Sequence, residues 1–111
     1  MQIDVKKDGE ISIVTIDGAV DGKTAPEAQN TITPLLQPNS AVILDMSKVN
    51  YMSSAGLRTL LLVYRQSSSQ NSRLALVGVS EEVKDVMSMT GFLKFFTLCP
   101  TLEEGKKAVQ G

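Results

Sequence analysis

Two neighbouring serines, Ser53 and Ser54, are followed by the small residues Ala55 and Gly56 and then by an apolar stripe at helical spacing that begins at Leu57. Side chains this small at a helix start leave the first backbone N–H groups approachable. Those groups have no intrahelical acceptor and carry the positive end of the helix dipole. The chemistry this suits is acceptance of an anion. A phosphate on Ser54 would add roughly −1.5 to −2 charge where a helix tolerates it and where an apolar or acidic partner surface would not. Such a residue pair can act as a binary docking switch. The same spacing is also met by a plainer arrangement, with Ser53 as an N-cap and Ala55 and Gly56 present for close packing.

Bond-making chemistry finds few candidates. There is no histidine and a single cysteine, Cys99, so a serine nucleophile would have only lysine as a base and a zinc site would lack ligands. Lys48 is the nearest lysine in sequence, in a polar stretch where it is expected to be solvated and protonated. Asp4, Asp17, Asp21 and Asp45 could supply carboxylate pairs, but their spacing singles out no glycosidase or magnesium site. No P-loop and no G-x-G-x-x-G after a strand is present. Cys99, beside Pro100, reads as a small buried hydrophobe. No catalytic residue, metal or cofactor is expected, and the protein is not expected to be an enzyme.

The elements that must position the serine pair alternate between strands and helices. Ile3 and Val5, then Ile11, Ile13, Val14 and Ile16, flank Asp8-Gly9 and predict an antiparallel hairpin. Gly18 to Lys23 reads as a loop. Thr24 with Glu27 reads as a capping box opening a helix that carries Ala25, Ala28, Ile32 and Leu35 and is kinked or ended by Pro34. Ala41 to Leu44 is a continuous apolar run, expected as a strand buried on both faces. Leu57, Leu60, Leu61 and Tyr64 form a helical stripe, Ser67 to Ser72 a polar loop, and Leu74 to Val77 a second buried strand. Ser80, Glu81 and Glu82 start a helix facing Val83, Val86 and Met87 inward and capped by Gly91. Phe95 to Thr97 suggests a last short strand, and Thr101 with Glu104 caps a final helix. The expected class is α/β: a mixed sheet of four to five strands, an opening antiparallel hairpin and then parallel strands, packed with about four helices.

Composition bounds the rest. The chain has 111 residues, 42% hydrophobic and 21% charged, with a net charge of −1, which suits one domain over residues 1–111 with one modest core. Lys6, Lys7, Lys23, Arg58, Arg65, Arg73, Lys106 and Lys107 are scattered without an aromatic platform, so no nucleic acid is expected as a partner. No apolar run approaches the ~18 residues needed to cross a bilayer, and no leader pattern stands at the start, so a cytoplasmic protein is expected. The apolar residues are accounted for by one core, which predicts a monomer when free.

The segment from Leu44 to Leu57 resembles the signature of the STAS domain, the family named for sulfate transporters and anti-sigma factor antagonists. Small stand-alone members read L-D-x-S-x-V-x-x-[ILM]-D-S-[SAT]-G-[LI], and Leu44, Asp45, Ser47, Val49, Met52, Ser54, Ala55, Gly56 and Leu57 match. Gly18-Ala19-Val20-Asp21 with Thr24-Ala25 resembles the family's loop before the first helix. Val86 to Phe92 resembles its motif close to the third.

The resemblance implies a bacterial anti-sigma factor antagonist working by partner switching. It would dock an anti-sigma factor serine kinase when unmodified, leave it on phosphorylation, and be reset by a serine phosphatase. Ser54 corresponds to the phosphoacceptor and Asp21 to an acidic loop residue beside it. The docking surface would comprise Asp21, Gly22, Lys23 and Thr24, the turn Ser53, Ser54, Ala55 and Gly56, and Leu57 and Arg58 of the next helix. The family usually has Asp where this chain has Ser53, which leaves Ser53 as the alternative acceptor. A different implication of the same family is a constitutive adaptor in a signalling or lipid-transport assembly, without phosphoregulation.

Overall fold

The computed structural model describes residues 1–110. Its sheet begins at a two-residue loop, Gly9-Glu10, closed by Asp8 paired with Ile11. Gly9 takes φ +62° at the first loop position, a conformation that costs glycine little and other residues more. The loop joins β1 (Gln2–Asp8) to β2 (Ile11–Val20) in an antiparallel pair. Parallel strands β3 (Ala41–Met52), β4 (Arg73–Val77) and β5 (Leu98–Cys99) follow, so that the five strands lie in chain order across the sheet. The helices are α1 (Ala25–Ile32), α2 (Ser54–Gln70), α3 (Glu81–Met89) and α4 (Leu102–Ala108), with short 3-10 turns at Thr33–Leu35 and Leu93–Phe95.

Chain order across the sheet decides where the helices go. Each parallel crossover steps one strand in the same direction, and right-handed crossovers in one direction all fall on one face. Accordingly Val14, Ile16, Val42 and Leu44 pack with Ala28 and Ile32 of α1, Leu57, Leu60 and Val63 of α2, and Val83 and Met87 of α3. The opposite face is covered only in part. There Ile43, Ala75 and Val77 meet Val109 and Leu102 at α4, with Ile11 and Ile13 of β2 beside them, leaving a polar area around Asp4, Lys6, Thr15 and Asp17 uncovered.

Several local expectations are corrected by the structure. Gly18, Ala19 and Val20 belong to β2, so the loop is confined to the residues from Asp21. Thr24 does stand at the N-cap of α1 but forms no side-chain cap; its hydroxyl donates instead to Ala19 O at 2.9 Å. Ser67 to Gln70 is the last turn of α2, whose C-cap is Asn71 at φ +57°. Ser72 N donates to Ser67 O at 2.9 Å and Asn71 N to Ser68 O at 3.2 Å, a helix ending in which Asn supplies the left-handed residue. The final strand is Leu98–Cys99 and not Phe95 to Thr97, because Phe95 closes a 3-10 turn and stacks on Tyr64 at 5.6 Å.

The strand before the serine pair is also longer than its apolar run. β3 continues through Asp45 to Met52, with two register shifts against β2, between Thr15 and Asp17 and between Gly18 and Ala19. Each shift leaves an extra residue on β3. Inward-facing Met46, Val49 and Met52 are therefore spaced by three where a regular strand spaces by two. Asp45 Oδ1 steadies the first shift, accepting from Ser47 Oγ at 2.7 Å and Ser47 N at 3.1 Å.

Candidate functional site

The serine pair stands where β3 hands over to α2. Ser53 is extended, with φ −82° and ψ 175°, and its Oγ accepts from Gly56 N at 3.3 Å. Its carbonyl accepts from Leu57 N at 3.0 Å. The cap thus satisfies the third N–H of the turn and leaves the N–H groups of Ser54 and Ala55 facing outward. Ser53 is half-buried, whereas Ser54 is exposed at the first position of the helix. No acidic side chain occupies the first turn of α2, in contrast with α3 and α4.

Two contacts tie this turn to the Asp21 loop. Ser53 N donates to Val20 O at 3.0 Å. Gly56 packs against the same carbonyl so closely that a Cβ on it would lie 2.6 Å from Val20 O and 2.9 Å from Met52 Cγ. A residue with any side chain would push α2 off the end of β2, which is why the residue is glycine although its φ is ordinary for a helix.

The Asp21 loop is held by its own carboxylate. Asp21 Oδ1 accepts from Lys23 N at 3.0 Å and Thr24 N at 3.1 Å, and Asp21 O accepts from Ala25 N at 2.8 Å. Those bonds favour the ionised form. The N–H of Lys23, then that of Thr24, hold the Asp21 carboxyl below its ordinary value against a smaller opposing desolvation. Gly22 and Lys23 are exposed at the loop tip.

On the other side of Ser54 lies a shallow groove of ≈ 280 Å³ lined by Ser54, Leu57, Arg58 and Leu61 of α2 and by Thr90 and Phe92 beyond α3. The end of α3 builds its second wall. Gly91, at φ +78°, lets Gly91 N reach Ser88 O and Phe92 N reach Met87 O, both at 3.0 Å, which turns Phe92 back toward α2. Sequence reading named Ser54, Leu57 and Arg58 but not this wall. The signal was the Gly91 cap, whose geometry returns the chain across its own helix.

The other candidate residues fall elsewhere. Lys48 and Asp45 share a polar depression with Asp4, Asp17 and Lys6 on the uncovered part of the sheet, not with Ser54. Cys99 is half-buried in β5, among the residues packed under α4. Among the described residues no group of three or more His, Cys, Asp or Glu side chains could hold a metal ion, and no helix is long and apolar enough to cross a membrane.

A family model described as the STAS domain matches residues 2–105. The chain belongs to the STAS domain family. Relatives of this STAS domain cover it almost end to end. BtrV of Bordetella bronchiseptica, whose name places it among anti-sigma factor antagonists, is 28% identical over 109 residues, spanning 97% of this chain and 94% of its own. The anti-sigma-B factor antagonist of Bacillus subtilis is 25% identical over 105 residues, spanning 95% and 96%. Among solved structures, an anti-sigma factor antagonist from Mycobacterium paratuberculosis superposes with a TM-score of 0.87 at 27% identity, covering 99% of this chain and 94% of that one. The mixed five-stranded sheet with its three crossover helices on one face is the STAS fold.

Proposed function

We propose that this STAS domain is an anti-sigma factor antagonist that switches partners through phosphorylation of Ser54. The observation that carries the reading is the division of labour at the start of α2. Ser53 caps the helix with its hydroxyl, and Ser54 presents its own to solvent between the Asp21 loop and the apolar groove. Unmodified, the protein docks an anti-sigma factor serine kinase through Asp21, Gly22, Lys23 and Thr24, the Ser53–Gly56 turn, Leu57 and Arg58, which frees the sigma factor. The kinase then transfers the γ-phosphoryl group of ATP to Ser54 Oγ. ADP leaves and the hydroxyl proton is lost to solvent or to a kinase base.

The energetics favour a sharp response. The added charge sits at the positive end of α2 and one helical turn from Arg58, so the fold accepts it. At the docked surface the same charge would be desolvated against the partner, and each ~1.4 kcal/mol lost there lowers affinity tenfold. A serine phosphatase restores the docking form. In this scheme the working unit is a single cytoplasmic copy and the chemistry belongs to its partners.

The test is incubation with a cognate kinase and ATP followed by mass spectrometric mapping. Incorporation should vanish in Ser54→Ala and persist in Ser53→Ala; unchanged incorporation in Ser54→Ala would sink the assignment. The rival reading, a constitutive adaptor, draws on the completeness of the turn without modification. It predicts that Ser54→Asp leaves partner binding intact.

A further inference from the structure

The outer edge of β1 is bare. Its seven residues pair with β2 without a bulge, contain no proline, and are exposed at every position but Ile3. Edge strands of this length are usually shortened, bulged or covered. The opposite edge of the sheet follows that rule, with only two residues in β5.

The main chain of β1 has a determinate direction. A two-residue hairpin loop is closed by a hydrogen-bonded pair, here Asp8 and Ile11. Alternation from that pair turns the N–H and C=O groups of Gln2, Asp4, Lys6 and Asp8 toward β2 and those of Ile3, Val5 and Lys7 outward. The side chains alternate too: Gln2, Asp4 and Lys6 line the polar depression on the uncovered face, while Ile3 packs on the helical side. Neither Asp4 nor Lys6 takes part in a salt bridge among the described residues.

We infer that this edge pairs with β1 of a second copy of the chain, antiparallel, about a two-fold axis through Val5. In that register Val5 meets Val5, and Ile3 meets Lys7 of the second copy, as hydrogen-bonded pairs. Each pair exchanges both bonds, giving about six across the seam. Asp4 falls opposite Lys6 of the second copy twice, once on each side of the axis, as directly facing opposite charges. All seven residues find a counterpart. Moving the axis to Asp4 sets Asp4 against itself, and moving it to Lys6 sets Lys6 against itself, so charge selects the register that main-chain alternation permits. Val5, 39% exposed in the single chain, is covered by its copy.

The seam buries little side-chain area, which places it at the small, transient end of interface sizes. It is a weak association of chains that are single when dilute. Antiparallel pairing sends the two Ser54 turns to opposite ends of a ten-stranded sheet (two copies of five strands), so docking and self-association use separate surfaces.

Sedimentation equilibrium from ~10 μM to ~1 mM spans the affinities expected of so small an interface. The mass of the unmodified chain should rise from that of one copy toward that of two. Asp4→Lys and Lys6→Asp should each weaken association at least about tenfold, and the double exchange should restore it. Asp85→Lys, the same charge change on the exposed face of α3, should leave it unaltered, as should Ser54→Asp. Val5→Pro removes an outward N–H without touching the β2 ladder and should abolish association. A mass that stays at one copy at the highest concentration overturns the inference. So does an association that both single charge reversals leave unchanged.

Discussion

The backbone oxygen of Val20 receives both the N–H of Ser53, at 3.0 Å, and the flank of Gly56, whose missing Cβ would lie 2.6 Å away. One carbonyl at the end of β2 therefore fixes the start of α2 and, through the next residue, the start of the Asp21 loop. The two halves of the proposed docking surface are set against each other at this point.

Gly56→Ala should consequently lower stability by about 1–3 kcal/mol, the usual cost of forcing an extra carbon into a packed site. Urea denaturation measures the loss. Partner binding should fall further than stability alone explains, since α2 must move relative to the loop. A Gly56→Ala variant as stable as the unmodified chain would show that the close approach relaxes at no cost.

The serine pair should separate cleanly by readout. Ser53→Ala removes a cap and should cost about 1 kcal/mol of stability, with phosphoryl incorporation retained. Ser54→Ala should lie within about 0.5 kcal/mol of the unmodified chain and lose incorporation. Thermal or urea unfolding alongside mass spectrometry checks both halves of the statement.

Ser54→Asp places a negative charge in a first turn that has none. It should stabilise the fold by about 0.3–1 kcal/mol at low salt while weakening the kinase complex by at least about tenfold. Calorimetric unfolding and a binding titration give the two signs. A fall in both would mean that the turn is damaged and not switched.

Asp21 should titrate below an ordinary aspartate, because its ionised form accepts from the N–H of Lys23 and of Thr24. The sign follows from linkage: with the folded value depressed, the contribution is present above the unfolded value and is lost as pH falls through the folded one. Carboxyl carbon shifts followed by NMR through that acidic window report the midpoint. Asp21→Ala should remove the dependence and loosen the loop, whereas Asp21→Asn should keep an acceptor and part of the order.

Much of this arrangement was legible in the residues. Ala41 to Leu44, Leu74 to Val77 and the stripe from Leu57 read as strand, strand and helix because buried parallel strands and amphipathic helices leave strong periodic marks. Ser53 reads as a cap for the same reason that it is one. Polar runs are harder. Ser67 to Ser72 looks like a loop, yet Ser67 is buried and its Oγ donates to Ser72 O at 3.0 Å, a local pairing that composition does not reveal. Met46, Val49 and Met52 fit no strand period because two bulges distort the strand that carries them. The groove wall at Phe92 depends on how Gly91 turns the chain, a three-dimensional consequence of one residue's backbone.

The two extra residues of β3 carry a further meaning. Twelve residues of β3 run beside ten of β2, and the surplus is what brings Met52 level with Val20 and so sets Ser53 N on the Val20 carbonyl. The strand behaves as a vernier: its length, counted from Ala41, sets the phase of the serine pair against the acidic loop, while Met46, Val49 and Met52 seat the same stretch in the core. Deleting Ser47 or Lys48 would leave the apolar inventory of the chain intact and still shift the proposed docking turn away from its counterpart. The timing of a single strand thus sets how the two halves of the proposed docking surface face each other.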